Sequence, residues 1–286
     1  MRAVIYGSSR IRTLKALAVG LCSLGWDIIW REDRDAYQAN QEASPEFDLA
    51  VTEGIRGPMS VMCREYTALG TPVLISDAGF VRRDLHYFQL GVNRLNWFPE
   101  FELPGDRWDR LDVRLRPLHA GTYILIAGQK PDDAAHGLGA EELRALYQDW
   151  AQELRGLSDL PVHFRPHPMG PEAHPEGLET IQGLTLAEEL AGAHALVTWN
   201  STTTTDALIA GTPAFALGPN AQAEELANTE LRYIARPFFP SDPVRRAFFN
   251  RVAYAQWTLE ELQNGMALEF TLAAIASQGH DRDLAR

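Results

Sequence analysis

The sequence predicts an α/β protein built from two Rossmann-like domains, each with a parallel sheet covered by helices. Short apolar strand-like segments alternate with helical patterns, a stretch rich in proline and charge interrupts the alternation, and the alternation then resumes. At 286 residues the chain is also longer than a typical single domain. We therefore expect two domains that face each other across a ligand-binding cleft.

The first domain is predicted over residues 1–118. Its strand-like segments are AVIYG, WDIIW, DLAVTEG and VLISD, at residues 3–7, 26–30, 48–54 and 73–77. Helical spacing covers residues 11–24 and 58–69, and Gly70 with Pro72 ends the second helix. Because helices separate the strands, we expect a parallel sheet. Between Pro99 and Pro117 the pattern dissolves, as in a linker or irregular loop.

The second domain is predicted over residues 119–242. Strands are expected at residues 123–128, 162–164, 178–181, 196–198 and 214–217, and helices at residues 140–154, 186–193 and 206–210. Residues 243–286 are expected to form C-terminal helices, interrupted near Gly265, that pack back across the domains and cross to the first one.

Composition limits the function classes. The net charge of −12 argues against a general binder of polyanions. Residues 1–120 carry a balance of only −1, so an anionic partner stays open there, although scattered surface charges explain most of its arginines equally well. Neither a charged leader followed by an apolar run nor a long apolar stretch is visible, so we expect a cytoplasmic protein without a membrane span. Cys22 and Cys63 are expected to be buried small apolar side chains.

The segment LVTWNSTTTTDALIAGTPAFALG, residues 196–218, is the most informative motif. A buried strand leads directly into five hydroxyl residues, Ser201 to Thr205, which open a helix that Gly211 ends. Main-chain N–H groups at a helix start are unpaired and attract anions, so the motif predicts a phosphate site. The alternative is that Ser201 only caps the helix. One cap does not require five hydroxyls, which favours the phosphate site.

Other polar residues follow strands of the same predicted sheet. Arg165 and His167 lie in RPHP, and both can donate hydrogen bonds to phosphate, although His167 also fits a packed loop histidine. Gln129 and Lys130 follow YILIAG, where a lysine can neutralise a leaving phosphate or can simply be exposed. Asp206 fits a bond to a ribose or sugar hydroxyl, or a favourable interaction with the helix dipole.

The order of HFRPHP, LAEELAGA and LVTWNSTTTTDALIAGTPAFAL resembles the donor-binding half of GT-B glycosyltransferases. Within them it is most similar to capsule-type enzymes, which include bacterial Kdo transferases and polyol-phosphate polymerases. The resemblance covers about residues 123–218. It implies that Arg165 and His167 meet a donor diphosphate, that Ser201 and Thr202 cap it, and that Asp206 stands where these families often place Glu. Gln129, Lys130, Asn200 and Thr203 complete the predicted donor site.

The first domain would then bind the acceptor. Glu53 is the first choice for the base that takes the acceptor proton, Asp77 is the second, and His167 is a further catalytic candidate. Both carboxylates follow strands, where they would alternatively cap the next helix. The predicted acceptor-side residues are Arg83, Asp84, His86 and Asn93. The aromatic residues between His86 and Trp97 predict either a stacking platform or part of the core.

The sequence therefore predicts transfer of a sugar from a nucleotide-sugar, with a UDP-sugar favoured, to a hydroxyl acceptor. No DxD pair stands at a strand end of the second domain, so we expect neither metal nor cofactor. The acceptor is either a cell-surface glycan or a hydroxymethylated base in DNA, and the overall acidity counts against DNA. A nucleotide-sugar 2-epimerase and a non-catalytic sugar-nucleotide-binding relative are the alternatives.

Overall fold

The computed structural model describes residues 1–32, 37, 43–83, 86–133, 136–219 and 221–283, with side chains as far as residue 277. The chain forms two compact units: unit 1 comprises Met1–Leu111 and Phe249–Arg286, and unit 2 comprises Asp112–Phe248. Each unit contains a sheet with parallel strands and helices packed against it. The predicted fold class, α/β with parallel sheets in two domains, is confirmed.

Unit 1 begins with the predicted alternation. Its strands and helices up to Leu111 are β1 (Arg2–Tyr6), α1 (Arg12–Ser23), β2 (Asp27–Arg31), β3 (Leu49–Glu53), α2 (Pro58–Ala68), β4 (Val73–Ala78), β5 (Phe88–Val92) and α3 (Asp106–Arg110). Strands β1 to β4 are parallel, and β1 lies between β2 and β3. The apolar residues of β1 and β3 are buried on both faces of the sheet, as a parallel sheet requires, whereas Ile29 of the edge strand β2 is exposed.

The first sheet is not wholly parallel, which corrects the prediction. Strand β5 is antiparallel to β4, and β10 (Gln256–Trp257) is antiparallel to β5 at the edge of the sheet. Gln256 fixes this edge because its Oε1 accepts the N–H groups of Phe80 and Val81, both at 2.9 Å. The long helical pattern predicted from Pro243 therefore breaks twice, at β10 and at Gly265.

The rest of the C-terminal segment is helical. Its helices are α7 (Asp242–Ala253), α8 (Leu259–Gln263) and α9 (Met266–Asp283). Thr258 begins α8 with a capping box: it accepts the N–H of Glu261, whose carboxylate in turn accepts the N–H of Thr258. Gly265, at φ +87°, provides the turn between α8 and α9.

Each face of the first sheet has its own apolar core. Helices α1 and α9 cover one face with residues such as Leu17 and Leu268, and α2 covers the other with Met62 and Tyr66. Cys63 is buried as expected, whereas Cys22 is exposed, which corrects that prediction. None of the helices in the described part of the chain is long and apolar enough to cross a membrane.

Unit 2 contains a sheet whose described strands are all parallel, in the order β7-β6-β8-β9. Its elements are β6 (Tyr123–Ala127), α4 (Ala140–Leu157), β7 (Val162–Arg165), α5 (Leu186–Gly192), β8 (Ala193–Thr198), α6 (Thr203–Ala210) and β9 (Ala214–Ala216). The strand predicted at residues 178–181 is wrong, because only a single bridge between Glu179 and His163 forms there. Gly211 ends α6 in the left-handed conformation, as the sequence predicts.

Arg107 joins α3 to the C-terminal segment of unit 1. Its guanidinium donates to both carboxylate oxygens of Glu261, at 2.6 and 3.1 Å, and to the carbonyls of Ala253 and Gln256. It also lies 3.9 Å from the centre of the Trp257 ring. Burial raises the pKa of Glu261, but the hydrogen bonds from Arg107 and Thr258 outweigh burial, and its pKa lies below the ordinary value.

We therefore expect Arg107→Ala to destabilise unit 1 strongly, because the change leaves the Glu261 carboxylate buried without its cation. The expected loss in free energy of unfolding is about 3–5 kcal/mol, measured by urea unfolding. Arg110→Ala is the matched control, because Arg110 lies three residues after Arg107 and pairs with Asp106. The side chains of Arg110 and Asp106 are both exposed, so we expect this variant to lose less than about 1 kcal/mol in free energy of unfolding. Equal losses in the two variants would contradict this role for Arg107.

Candidate functional site

The carboxyl ends of β6, β7 and β8 bring three polar segments to one edge of the second sheet. They are Gly128 to Lys130, Arg165 to His167, and Asn200 to Ser201. Gly128 is required at this edge, because a Cβ there would lie 2.9 Å from Phe164 and 3.3 Å from the carbonyl oxygen of Arg165. The sequence-predicted donor residues on the three segments therefore lie at a single edge.

Gln129 holds this edge together. It is buried, and its main-chain N–H donates to the hydroxyl of Tyr147 on α4 at 2.7 Å. The donors around it assign the side-chain oxygen, rather than the nitrogen, to the side of the loop after β8, and in that orientation the oxygen accepts the N–H groups of Asn200 and Ser201, both at 2.9 Å. Gln129 thus positions the loop rather than presenting its amide to a ligand, and it occupies the N–H of Ser201, one of the groups that the sequence assigned to phosphate.

The hydroxyl run divides into an inner and an outer part. Thr204 and Thr205 are buried, and their hydroxyls donate to the carbonyl of Ser201 and to Gln222. This corrects the prediction that all five residues present unpaired N–H groups, because the N–H groups of Thr204 and Thr205 also bond within the turn. The outer residues of the run, Ser201, Thr202 and Thr203, are half-buried.

Thr202 carries the N–H group that remains open. The Ser201 hydroxyl accepts the N–H of Thr203 at 3.2 Å, so Ser201 does cap the helix. Among the residues that the structure describes, the N–H of Thr202 has no hydrogen-bond acceptor, and the Thr203 hydroxyl is buried without a partner. Thr202 has φ −60° and stands directly before α6, so its N–H belongs to the electropositive end of the helix.

Arg165 is largely engaged within the protein. Its Nη1 donates to Glu189 at 2.6 Å, and Glu189 is only 1% exposed. Burial raises the pKa of Glu189 above its ordinary value in spite of this bond. A phosphate at Arg165 would therefore compete with a buried carboxylate, so the residue primarily orients the strand end.

His167 and Lys130 present hydrogen-bond donors at this edge. The main-chain N–H of Met169 donates to Nδ1 of His167 at 3.1 Å, which places the proton of the neutral ring on Nε2. Burial is the main cause that lowers the pKa of His167, and the charge of Lys130 lowers it further, whereas Asp133 raises it. Lys130 forms no ion pair within the described residues.

Asp206 lies on the first turn of α6 and is half-buried. A carboxylate near the start of a helix is stabilised by the helix dipole, and its oxygens accept hydrogen bonds. Within the described part of the chain, no group of three or more His, Cys, Asp or Glu side chains is arranged to hold a metal ion.

Unit 1 has its own row of polar residues at the carboxyl edge of the first sheet. Glu53 ends β3, and the buried hydroxyl of Thr13 on α1 donates to its Oε1 at 3.2 Å. Asp77 lies on the neighbouring strand β4, one residue after Ser76, the residue paired with Glu53. Its Oδ1 accepts the N–H of Ala78 at 2.7 Å. The two predicted base candidates therefore lie at the same edge, and Glu53 is oriented by a second side chain.

The acceptor-side predictions have different outcomes. Arg83 and His86 are exposed in the loop between β4 and β5, on the edge that carries Asp77, and Asp84 lies outside the described residues. Asn93 is wrong as an acceptor-edge residue, because its N–H and its Oδ1 both bond to Val73 at the amino end of β4.

The predicted stacking platform is core. Phe88 belongs to β5 and packs against one apolar core of unit 1. Trp97 is buried in the same core.

Sequence reasoning missed three residues that orient the site: Thr13, Tyr147 and Glu189. Thr13 carried a usable signal. The polar segment GSSR follows β1, and Thr13 lies three residues after it in the chain. Because β1 and β3 are parallel neighbours, Thr13 is expected near the sheet edge that carries Glu53. Tyr147 and Glu189 stand inside helices α4 and α5 and gave no local signal.

The fold is that of GT-B glycosyltransferases. Two structures from Thermosulfurimonas dismutans share it. A KpsC beta Kdo 2,4 transferase matches with a TM-score of 0.55 and 13% identity, over 87% of this chain and 89% of that chain. A KpsC beta Kdo 2,7 transferase matches with a TM-score of 0.51 and 14% identity, over 93% of this chain and 99% of that chain. A Methanocaldococcus jannaschii UDP-GlcNAc 2-epimerase matches with a TM-score of 0.37, which is too low to carry an argument (10% identity, 95% and 100%). No family model matches the chain, and no curated protein matches its sequence.

We expect Gln129→Leu to loosen the loop after β8, because it leaves the N–H groups of Asn200 and Ser201 buried without an acceptor. The expected loss in free energy of unfolding is about 1–3 kcal/mol, with faster hydrogen exchange at these two amides. Gln148→Leu serves as the control, since Gln148 makes only an exposed bond to the Glu176 carbonyl. Unchanged exchange at Asn200 and Ser201 in the Gln129 variant would refute the role of Gln129.

Proposed function

We propose that the chain is a glycosyltransferase that moves a sugar from a nucleotide-sugar, with a UDP-sugar favoured, to a hydroxyl acceptor. The observation that carries the proposal is the open N–H of Thr202 at the start of α6, on the edge that also presents Lys130 and His167. An N–H at a helix start, an ammonium group and an imidazole N–H are donors suited to a diphosphate. The fold shared with two Kdo transferases supports this assignment.

In the proposed reaction unit 2 binds the donor. Three donors stabilise the negative charge that develops on the departing nucleoside diphosphate: the N–H of Thr202, the ammonium group of Lys130 and the Nε2–H of His167. Asp206 accepts hydrogen bonds from hydroxyl groups of the donor. These hydrogen-bond donors perform the charge stabilisation that a divalent metal supplies in other enzymes, so we propose that the reaction is metal-independent.

Unit 1 supplies the base in the proposed reaction. The carboxylate of Glu53 takes the proton of the acceptor hydroxyl while the acceptor oxygen forms a bond to the anomeric carbon. The bond from that carbon to the diphosphate oxygen breaks, and its electron pair leaves with the nucleotide. The bond from Thr13 supports Glu53 over Asp77, because it holds one carboxylate oxygen in place.

A glycan acceptor, in polysaccharide biosynthesis, is favoured over modified DNA. A DNA-binding face needs a continuous positive surface that neutralises several phosphates. Of the arginines in the first 120 residues, Arg107 is buried against Glu261, Arg110 pairs with Asp106, and Arg2 pairs with Glu46. Arg107 is therefore unavailable to phosphates, and a carboxylate lies beside each of the other two, which counts against a continuous positive surface for DNA.

The first test is donor binding. In a thermal-shift screen of UDP-, GDP-, CDP- and CMP-sugars we expect one nucleotide series, UDP first, to raise the melting temperature, since a ligand that binds the folded state stabilises it by mass action. The bound nucleotide-sugar is then incubated without acceptor. Conversion to a 2-epimer would favour an epimerase over a transferase, and a screen without any shift would overturn the proposal.

Thr202→Pro isolates the proposed phosphate donor, because proline removes the N–H and its ring fits the observed φ of −60°. We expect at least about tenfold weaker nucleotide binding by calorimetry, as for the loss of one hydrogen bond to a charged group. Thr202→Ala is the matched control: it keeps the N–H and loses only the hydroxyl, so it should bind nearly as the wild type does. Equal affinities in both variants would exclude the N–H as a ligand.

Glu53→Gln tests the proposed base. We expect at least about a hundredfold lower kcat with an unchanged Kd for the nucleotide, since removal of a general base costs about 10²–10⁴ in rate. The assay is run in EDTA, where activity should persist. Asp77→Asn is the comparison variant and should retain most of the activity. If donor turnover is unaffected in both variants, neither carboxylate is the base.

A further inference from the structure

Unit 1 has a cavity of about 510 Å³ that is open to solvent, on the surface beside α2 and apart from the sheet edge described above. Residues from one face of α2 line it, at helical spacing: Ser60, Arg64, Thr67 and Ala68. Asn93 and Arg94, which follow β5, are also part of the lining. The volume lies within the range of about 300–1,000 Å³ that is typical of small-molecule sites.

Both walls of the cavity are fixed by the core. Met59, Met62 and Tyr66 anchor the inner face of α2 and are fully buried. On the other wall, Asn93 is held by its bonds to Val73, both at 2.8 Å. Gly91 lets the chain pack against itself here, because a Cβ at Gly91 would lie 2.2 Å from the carbonyl oxygen of Arg94. The cavity is therefore preformed, which lowers the entropic cost of binding.

The charge of the lining is one-sided. Among the described residues that line the cavity, Arg64 and Arg94 are the charged ones, and none is an aspartate or a glutamate. Neither arginine forms an ion pair or hydrogen bond within the described residues, whereas arginines such as Arg107, Arg110 and Arg165 have carboxylate partners. Two unpaired guanidinium groups at one cavity are complementary to an anion, and a guanidinium binds carboxylate or phosphate through two parallel bonds.

The remaining lining provides apolar contact. Ile55 and Ala68 offer aliphatic surface, and the buried Cys63 forms part of the wall. We propose that this cavity binds a small organic anion, with its apolar body against these residues and its phosphate or carboxylate group against Arg64 and Arg94. The site lies wholly within unit 1 and does not depend on the proposed glycosyl transfer.

The test uses 1-naphthyl phosphate and 1-naphthoate as probes, with 1-naphthol and inorganic phosphate as the partial ligands. Calorimetry is performed on the full chain in saturating UDP, which occupies the proposed donor site. We expect one-to-one binding of at least one anionic naphthyl probe, at least about tenfold tighter than either partial ligand. Binding should change the NMR chemical shifts of the main-chain amides in α2 and at residues 93–94. The anionic probe that binds more tightly identifies whether phosphate or carboxylate is preferred.

Variants decide whether the cavity is the site. Arg64→Gln and Arg94→Gln should each weaken the anionic probe about tenfold or more and leave 1-naphthol unaffected. Ala68→Trp should block all naphthyl probes by filling the cavity. Arg10→Gln removes another exposed arginine of unit 1 and should change nothing. Binding that is unchanged in both arginine variants, 1-naphthol binding as tightly as the anions, or shifts confined to unit 2 would each overturn the proposal.

Discussion

The buried amide of Gln129 is the interaction on which the candidate donor site depends. It connects three elements that are far apart in sequence: its N–H binds Tyr147 on α4, its chain continues β6, and its side-chain oxygen binds the loop after β8. By occupying the N–H groups of Asn200 and Ser201, it leaves Thr202 as the open donor. This contact therefore decides which main-chain N–H groups at the loop can bind an anion.

Charge acts locally in this acidic chain. Arg107 and Arg165 carry formal positive charge but meet the buried or nearly buried carboxylates of Glu261 and Glu189, so they stabilise structure rather than attract ligands. At the candidate donor edge of unit 2, the described groups that can attract an anion include Lys130 and the start of α6. A count of arginines along the sequence therefore overstates the basic surface, because pairing removes part of it.

Local signals predicted most of the fold. The apolar periods located α1, α2, α4 and β1 to β4, and Gly211 marked the end of α6. Strands β5 and β10 escaped prediction because they pair antiparallel and non-locally, β5 between β4 and β10, and β10 at the edge where the side chain of Gln256 holds it. The candidate donor site was also only partly predictable. The predicted strand ends indicated which residues lie there, but partners distant in sequence, such as Gln222, determine which hydroxyl groups are buried.

Helix α6 is short, and its usefulness as an anion-binding element depends on both of its ends. At the start, Gln129 and the Ser201 hydroxyl fix the loop. At the end, the fully buried Arg245 donates to the carbonyl of Leu208 at 2.7 Å and to that of Arg116 at 2.8 Å, which satisfies a terminal carbonyl and places positive charge at the negative end of the dipole. An isolated helix of this length is marginal in water. Held at both ends, it presents the Thr202 N–H in a fixed position, and a donor that is already in place costs less entropy on binding than one that must be ordered by its ligand.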